Sequence, residues 1–164
     1  MDTEGANIKN ILLVEDDSGD VELTLAALGD PVANKVAVVV NGAEALDYLY
    51  RRGEFQLRAG GNPIVVLLDN KLPKVSGLEV LKIIKGDGRL KTIPVVALTS
   101  SRQTQDLIEF YEHGVNAYVV KPLEFSEFRA TIKQLVGFWA TVNEPPPEAE
   151  IEGHEIVSPL KAGG

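Results

Sequence analysis

The sequence predicts an α/β fold: a doubly wound, five-stranded parallel sheet with helices on both faces. Five short runs rich in Val, Ile and Leu recur along the chain, and such runs mark strands covered on both faces. Segments with helical spacing alternate with them, and Gly- and Pro-containing turn signals separate the two kinds. Five βα units in series build an open doubly wound sheet.

The first strand is "NILLVE", residues 10–15. It runs into Glu15, Asp16 and Asp17, and one of Asp16, Asp17 or Ser18 is placed to cap a helix over 18–28. The second strand, "KVAVVV" (35–40), precedes a helix over 42–51. Gly53 and the Gly60-Gly61-Asn62-Pro63 cluster then lead into "PIVVLLD" (63–69), which ends on Asp69. Ser76 and Glu79 have capping-box spacing and start a third helix over 77–85, closed by Gly86-Asp87-Gly88. "PVVALTS" (94–100) precedes a helix over 103–113, which Gly114 stops. "AYVVK" (117–121) precedes the last helix, 125–139, and Pro145–Pro147 prevents its extension.

Composition narrows the function. With 164 residues the chain is one domain and a tail, long enough to bury a core. Cysteine is absent, which excludes disulfides, thiolate catalysis and zinc–thiolate sites. No segment resembles a signal peptide, and no apolar run approaches the roughly 20 residues of a membrane helix, so a cytoplasmic protein is expected. The net charge of −8 disfavours nucleic acid and anionic membranes as partners. Half of it lies in the tail, where Glu144, Glu148, Glu150, Glu152 and Glu155 oppose Lys161. That composition reads as a loosely held extension, although Ile151, Ile156, Val157 and Leu160 give it something to bury on this chain or on another copy.

In doubly wound sheets, ligands bind beyond the carboxyl ends of the strands. Here those ends carry Glu15, Asp16 and Asp17, then Asp69, then Thr99 and Ser100, then Lys121 before Pro122. Each has an ordinary reading of its own: an N-cap, a turn acid, a turn hydroxyl, a solvated lysine. Their joint placement in strand order does not. Carboxylates crowded on one rim repel, and a hard divalent cation such as Mg²⁺ removes the conflict through oxygen ligands. A carboxylate beside such an ion attacks phosphorus to form an acyl phosphate, a reaction that needs positioning and charge neutralisation more than proton transfer. Glu15, Asp16 and Asp69 would hold the ion. Lys121 and Thr99 would meet the phosphoryl oxygens.

The motifs "LLVEDD", "LLDNKLPKVSG", "IPVVALTSS" and "GVNAYVVKPLE", in this order, resemble the receiver domain of two-component response regulators over residues 8–139. The resemblance implies the flavodoxin-like (βα)5 receiver fold with strand order 2-1-3-4-5, preceded by an extension at 1–7 and followed by one at 140–164. It implies that Asp69 accepts a phosphoryl group from a histidine kinase. Glu15, Asp16, Asp69 and the backbone carbonyl of Lys71 would bind Mg²⁺. Thr99 would be the switch hydroxyl, Lys121 the site lysine and Tyr118 the switch aromatic, with a cis Lys121–Pro122 bond. The segments "LKTIPVVALTSS" and "RRGEFQLRAGGNP" and the terminal "FW" look like the stand-alone receivers encoded beside bacterial phytochromes. These commonly dimerise through the last helix and a C-terminal extension, here Phe138, Trp139, Val142 and the tail.

Two positions depart from the common pattern. Glu15 stands where Asp is commoner, and Lys71 stands two residues after Asp69. In the family the side chain at that place, with Ser101, flanks the path of the hydrolytic water. Lys71 would either lie across the phosphoryl group and slow its loss or point to solvent. Output is expected through residues 103–113, 116–120 and 126–138, the α4-β5-α5 face, because the segment after Trp139 is short and acidic. Three other functions compete. A phosphatase needs an acid where Lys71 stands. A flavodoxin-like carrier needs a phosphate-binding loop where "EDDSGD" stands. An interaction module that never accepts phosphate predicts a missing site residue, and none is missing.

Overall fold

The computed structural model describes residues 9–147. Five strands, β1 (Ile11–Val14), β2 (Val36–Val39), β3 (Val65–Leu68), β4 (Val95–Thr99) and β5 (Ala117–Val120), form one parallel sheet. Its order is β2-β1-β3-β4-β5. The helices are α1 (Ser18–Leu28), α2 (Gly42–Tyr50), α3 (Gly77–Gly86), α4 (Thr104–Glu112) and α5 (Phe125–Gly137). All ten elements fall where the two periodicities place them.

Alternation along the strands divides the core into two layers. Leu12, Val14, Val66, Leu68, Val95 and Ala97 face α2, α3 and α4, where Leu46, Leu81, Ile84 and Phe110 cover them. Ile11, Leu13, Val65, Leu67, Val96 and Leu98 face α1 and α5, where Ala27, Phe128, Ile132 and Val136 cover them. β1, β3 and β4 are buried throughout, which is why they read as unbroken apolar runs.

The helix starts follow the capping chemistry. The Asp17 side chain accepts from the Asp20 amide, so Asp17 is the residue that caps α1. Ser76 accepts from the Glu79 amide at 3.2 Å. Glu79 itself pairs with Lys82 at 3.4 Å, so this is the forward half of a capping box. Gly114 follows α4 with φ +91°, a left-handed conformation that favours glycine.

Three expectations change. α2 ends at Tyr50, because Arg51 turns left-handed (φ 58°) to cap it. α5 ends at Gly137 and gives way to a π-helical turn, Phe138–Val142, which closes with the Asn143 amide on the Phe138 carbonyl. The cis peptide bond among the described residues is Asp30–Pro31, and Lys121–Pro122 is trans. Trans and cis differ by only about 0.5–1 kcal/mol for any X-Pro bond, so the dipeptide alone does not set the isomer. The tail residues Ile151, Ile156, Val157 and Leu160 lie outside the described residues.

Candidate phosphoacceptor and metal site

The sheet ladder sets the site. It continues one residue beyond β1 and β3: the Glu15 amide donates to the Val39 carbonyl at 3.0 Å and the Asp69 amide to the Val14 carbonyl at 3.2 Å. Glu15 and Asp69 are thereby held side by side on the carboxyl rim. Oxygens of Glu15, Asp16 and Asp69 all lie within 4.8 Å of one another. Glu15 is buried, Asp69 half-buried and Asp16 exposed, so the cluster opens to solvent on the Asp16 side. Three convergent carboxylates with an open side suit a hard divalent ion that keeps some of its waters.

Lys121 enters from β5, with its amide on the Thr99 carbonyl at 2.8 Å. Its ammonium lies 2.6 Å from Glu15 Oε1, 2.7 Å from Asp20 Oδ2 and 3.5 Å from Asp69 Oδ2. Burial alone would lower its pKa, but the bonds it donates to Asp20 and Glu15 and the Asp69 charge hold it above the ordinary lysine value. Lys121 is therefore charged. Burial pushes Glu15 up to about 7, with Asp69 adding to the rise, while Lys121 and the Asp17 amide on Glu15 Oε2 oppose it.

Asp69 is fixed from behind. Its Oδ1 accepts from the Asn70 amide at 2.7 Å, and α3 begins directly against its backbone. A Cβ on Gly77 would sit 2.0 Å from the Asp69 carbonyl oxygen, so only glycine allows this approach. Gly42 plays the same part at the other end of the loop, where a Cβ would meet the Val75 carbonyl at 2.0 Å. The Lys71 side chain is exposed on that loop.

Thr99 ends β4, buried, with its Oγ1 accepting from the Ser101 amide at 3.3 Å. Tyr118 packs edge-on to Phe110 with ring centroids 5.6 Å apart and donates its hydroxyl to the Ser101 carbonyl. Ser101 Oγ donates to Asp106 Oδ2 at 2.5 Å, which ties the loop to the first turn of α4.

Glu15, Asp16, Asp69 and Lys121 thus come together as the strand ends imply. Asp20 was missed. Its sequence signal is its place three residues after the N-cap Asp17, in the first turn of α1 and directly after the acidic strand end. Beside Lys121 and Asp20 opens a groove of about 230 Å³, whose floor includes Leu23, Pro122 and Phe128.

The receiver-domain family of response regulators matches residues 11–133. A probable methanogenesis regulatory protein, FilR2 of Methanothrix harundinacea, is 40% identical over 145 residues, covering 85% of this chain and 88% of FilR2. Response regulator Rcp1 of Synechocystis is 35% identical over 140 residues, covering 85% of this chain and 94% of Rcp1. The solved structure of Rcp1 in its Mn(2+)-bound form superposes with a TM-score of 0.78 over 84% of this chain and 99% of that one, at 34% identity. The bacteriophytochrome response regulator RtBRR is 54% identical, with a TM-score of 0.67 and 95% of both chains covered. With the match spanning both the sheet and the acidic rim, the chain belongs to the response regulator receiver domains of two-component systems and is related to phytochrome response regulators.

Proposed function

We propose that this protein is a stand-alone response regulator whose Asp69 accepts a phosphoryl group from a histidine kinase in a Mg²⁺-dependent reaction. The observation that carries the reading is the convergence of Glu15, Asp16 and Asp69 within 4.8 Å, with the Lys121 ammonium 3.5 Å from Asp69. Glu15, Asp16, Asp69 and the Lys71 carbonyl are the ligand set, and a bound Mg²⁺ would neutralise charge developing on the phosphoryl oxygens. An oxygen of Asp69 forms a bond to phosphorus as the phosphorus–nitrogen bond of a phosphohistidine breaks, and the imidazole leaves with its electron pair. Lys121 and the Thr99 hydroxyl donate to the phosphoryl oxygens of the product.

The likeness to RtBRR, a bacteriophytochrome response regulator, supports a bacteriophytochrome as the kinase. Output runs through α4, β5 and α5, where Ile108 and Tyr111 leave apolar surface uncovered. Phosphorylation adds charge beside Thr99, and the shift reaches Tyr118 through the Ser101 loop. A homodimer forms through the end of α5 and the turn after it, where Phe138 and Val142 are exposed, while Trp139 packs on its own core.

The test is intact-mass analysis after incubation with Mg²⁺ and acetyl phosphate, with Asp69→Asn alongside. One added phosphoryl group in the parent and none in the variant supports the reading. No addition in the parent, with Mg²⁺ bound, demotes the protein to a receiver-shaped interaction module.

A further inference from the structure

We propose that Asp20 is a positioning residue for phosphoryl transfer, the carboxylate that keeps Lys121 in place when Glu15 is engaged by a cation. The inference rests on the phosphoacceptor reading and assigns a role that reading leaves open. An ammonium has three N–H donors on a flexible four-carbon stem. In Lys121 one donor meets Glu15 at 2.6 Å and a second meets Asp20 at 2.7 Å. Asp69 Oδ2, at 3.5 Å, lies within ion-pair range but beyond a hydrogen bond. The third donor is thus left for the acceptor side.

The two holding carboxylates are not equivalent. Glu15 belongs to the group that can hold a metal; Asp20 does not. Once Glu15 gives electron density to a cation, its bond to Lys121 weakens, and Asp20 carries the restraint. Asp20 is itself anchored without reference to the metal. Its amide donates to Asp17 Oδ1 at 3.1 Å, and its carbonyl accepts from the buried Thr24 hydroxyl at 2.7 Å. The Asp20 side chain is 31% exposed, enough to leave it outside the packed core and tolerant of substitution. No bond to Asp20 forms or breaks in the reaction. The Asp69 oxygen–phosphorus bond forms, the donor's bond to phosphorus breaks, and Lys121 contributes a hydrogen bond to a phosphoryl oxygen without giving up its proton.

A charge effect and a positioning effect have opposite signs here. Removing a carboxylate near the rim reduces repulsion of an anionic donor and would speed the reaction. Removing a positioning group slows it. We would follow phosphorylation of the full chain by acetyl phosphate at saturating Mg²⁺ in the parent, Asp20→Asn and Asp20→Glu. Loss of one charge-assisted hydrogen bond should slow Asp20→Asn by about tenfold. Asp20→Glu should recover part of the rate, and the Mg²⁺ Kd should stay within about twofold of the parent, since Asp20 lies outside the metal group. In a Lys121→Gln background Asp20→Asn should have almost no effect, which a merely structural role would not produce. A parent that gains phosphate while Asp20→Asn reacts as fast or faster overturns the role of Asp20 alone. A parent that gains none overturns the phosphoacceptor reading and this role together.

Discussion

Tyr118 donates its hydroxyl to the carbonyl of Ser101 across 3.2 Å, from β5 to the loop that follows β4. The same serine donates its amide to Thr99 Oγ1 and its hydroxyl to Asp106. One residue therefore joins the hydroxyl at the site, the aromatic beside α4 and the first turn of α4. Tyr118→Phe should cost about 0.5–1.5 kcal/mol, the net worth of one hydrogen bond, read from urea unfolding. Amide exchange should quicken in the loop and first turn of α4 and stay unchanged in β1. Uniform acceleration across the sheet would contradict the local link.

In the proposed metal site, Glu15 would make cation binding depend on pH. Its pKa of about 7 in the folded, metal-free protein lies above the ordinary value of 4.5, with burial as the leading cause. A raised folded pKa contributes stability that is fully present below the unfolded value and is lost as pH rises through about 7. The metal-free protein should therefore lose stability from pH 5 to 8 through this group. A Mg²⁺ bound there would compete with the proton, and with a pKa of about 7 Glu15 goes from about one-tenth ionised at pH 6 to about nine-tenths at pH 8. The rise in Tm produced by Mg²⁺ should widen over that interval, and titration calorimetry should show tighter binding. A pH-independent increment would place the proton elsewhere.

Gly77 controls the seat of Asp69. With its Cβ position 2.0 Å from the Asp69 carbonyl, Gly77→Ala must move backbone on one side or the other. Overpacking of this kind costs about 1–3 kcal/mol. The Mg²⁺ Kd should weaken as well, because the displaced carbonyl belongs to Asp69, a residue of the proposed ligand set. A variant with lowered Tm but parental metal affinity would mean that α3 yields rather than Asp69.

The sheet was legible because both of its faces are covered: β1, β3 and β4 are buried at every position, and the shortness and Val, Ile and Leu content of their apolar runs mark them as strands. The convergence of Glu15, Asp69 and Lys121 on one rim was legible because these groups sit at strand ends, which follow from the strands. Asp20 escaped notice because it belongs to a helix, where an exposed acid in the first turn is ordinary, and its partner lies 101 residues away. The X-Pro isomers escaped because the dipeptide barely discriminates between them. Gly77 was visible as a helix start, but its contact with Asp69 is a matter of helix-to-strand distance, which no local pattern encodes.

Lys85 should prove more costly to lose than a half-buried helix lysine usually is. Its ammonium donates to the carbonyls of Lys91 and Ile93 and to Asn116 Oδ1, at 3.0, 2.8 and 3.0 Å. Burial lowers its pKa, yet these bonds gather α3, the approach to β4 and the approach to β5 on one atom. Lys85→Met keeps the stem and takes the ammonium from the part-buried Ile93 carbonyl, while Asn116 Oδ1 keeps the Val95 amide at 2.8 Å, and about 1–2 kcal/mol of destabilisation is expected in urea unfolding. A loss of a few tenths would mean that water replaces the ammonium.

The turn after α5 separates two kinds of aromatic. Phe138 is exposed and Trp139 packs on the core, with their rings edge-on at 5.1 Å. If the proposed homodimer uses this turn, Phe138→Ala should weaken it about tenfold while leaving unfolding nearly unchanged. Trp139→Ala should lower monomer stability by about 2 kcal/mol. Sedimentation and urea unfolding distinguish the two. The opposite pattern would put Trp139 at the interface.

The bond from Lys121 to Glu15 joins residues 106 apart in sequence. It also crosses the rim from β5 to β1, strands that β3 and β4 keep apart. Such a contact pays its full loop-closure entropy unless the intervening strands are already aligned. During folding it should therefore form last, after the β1-β3-β4-β5 ladder has assembled. Substitutions at Glu15 or Asp20 should change the unfolding rate and leave the folding rate almost untouched, with φ-values near zero, whereas truncations in β3 should slow folding. The acidic rim would then be the last part of the molecule to close as it folds and the first to open as it unfolds.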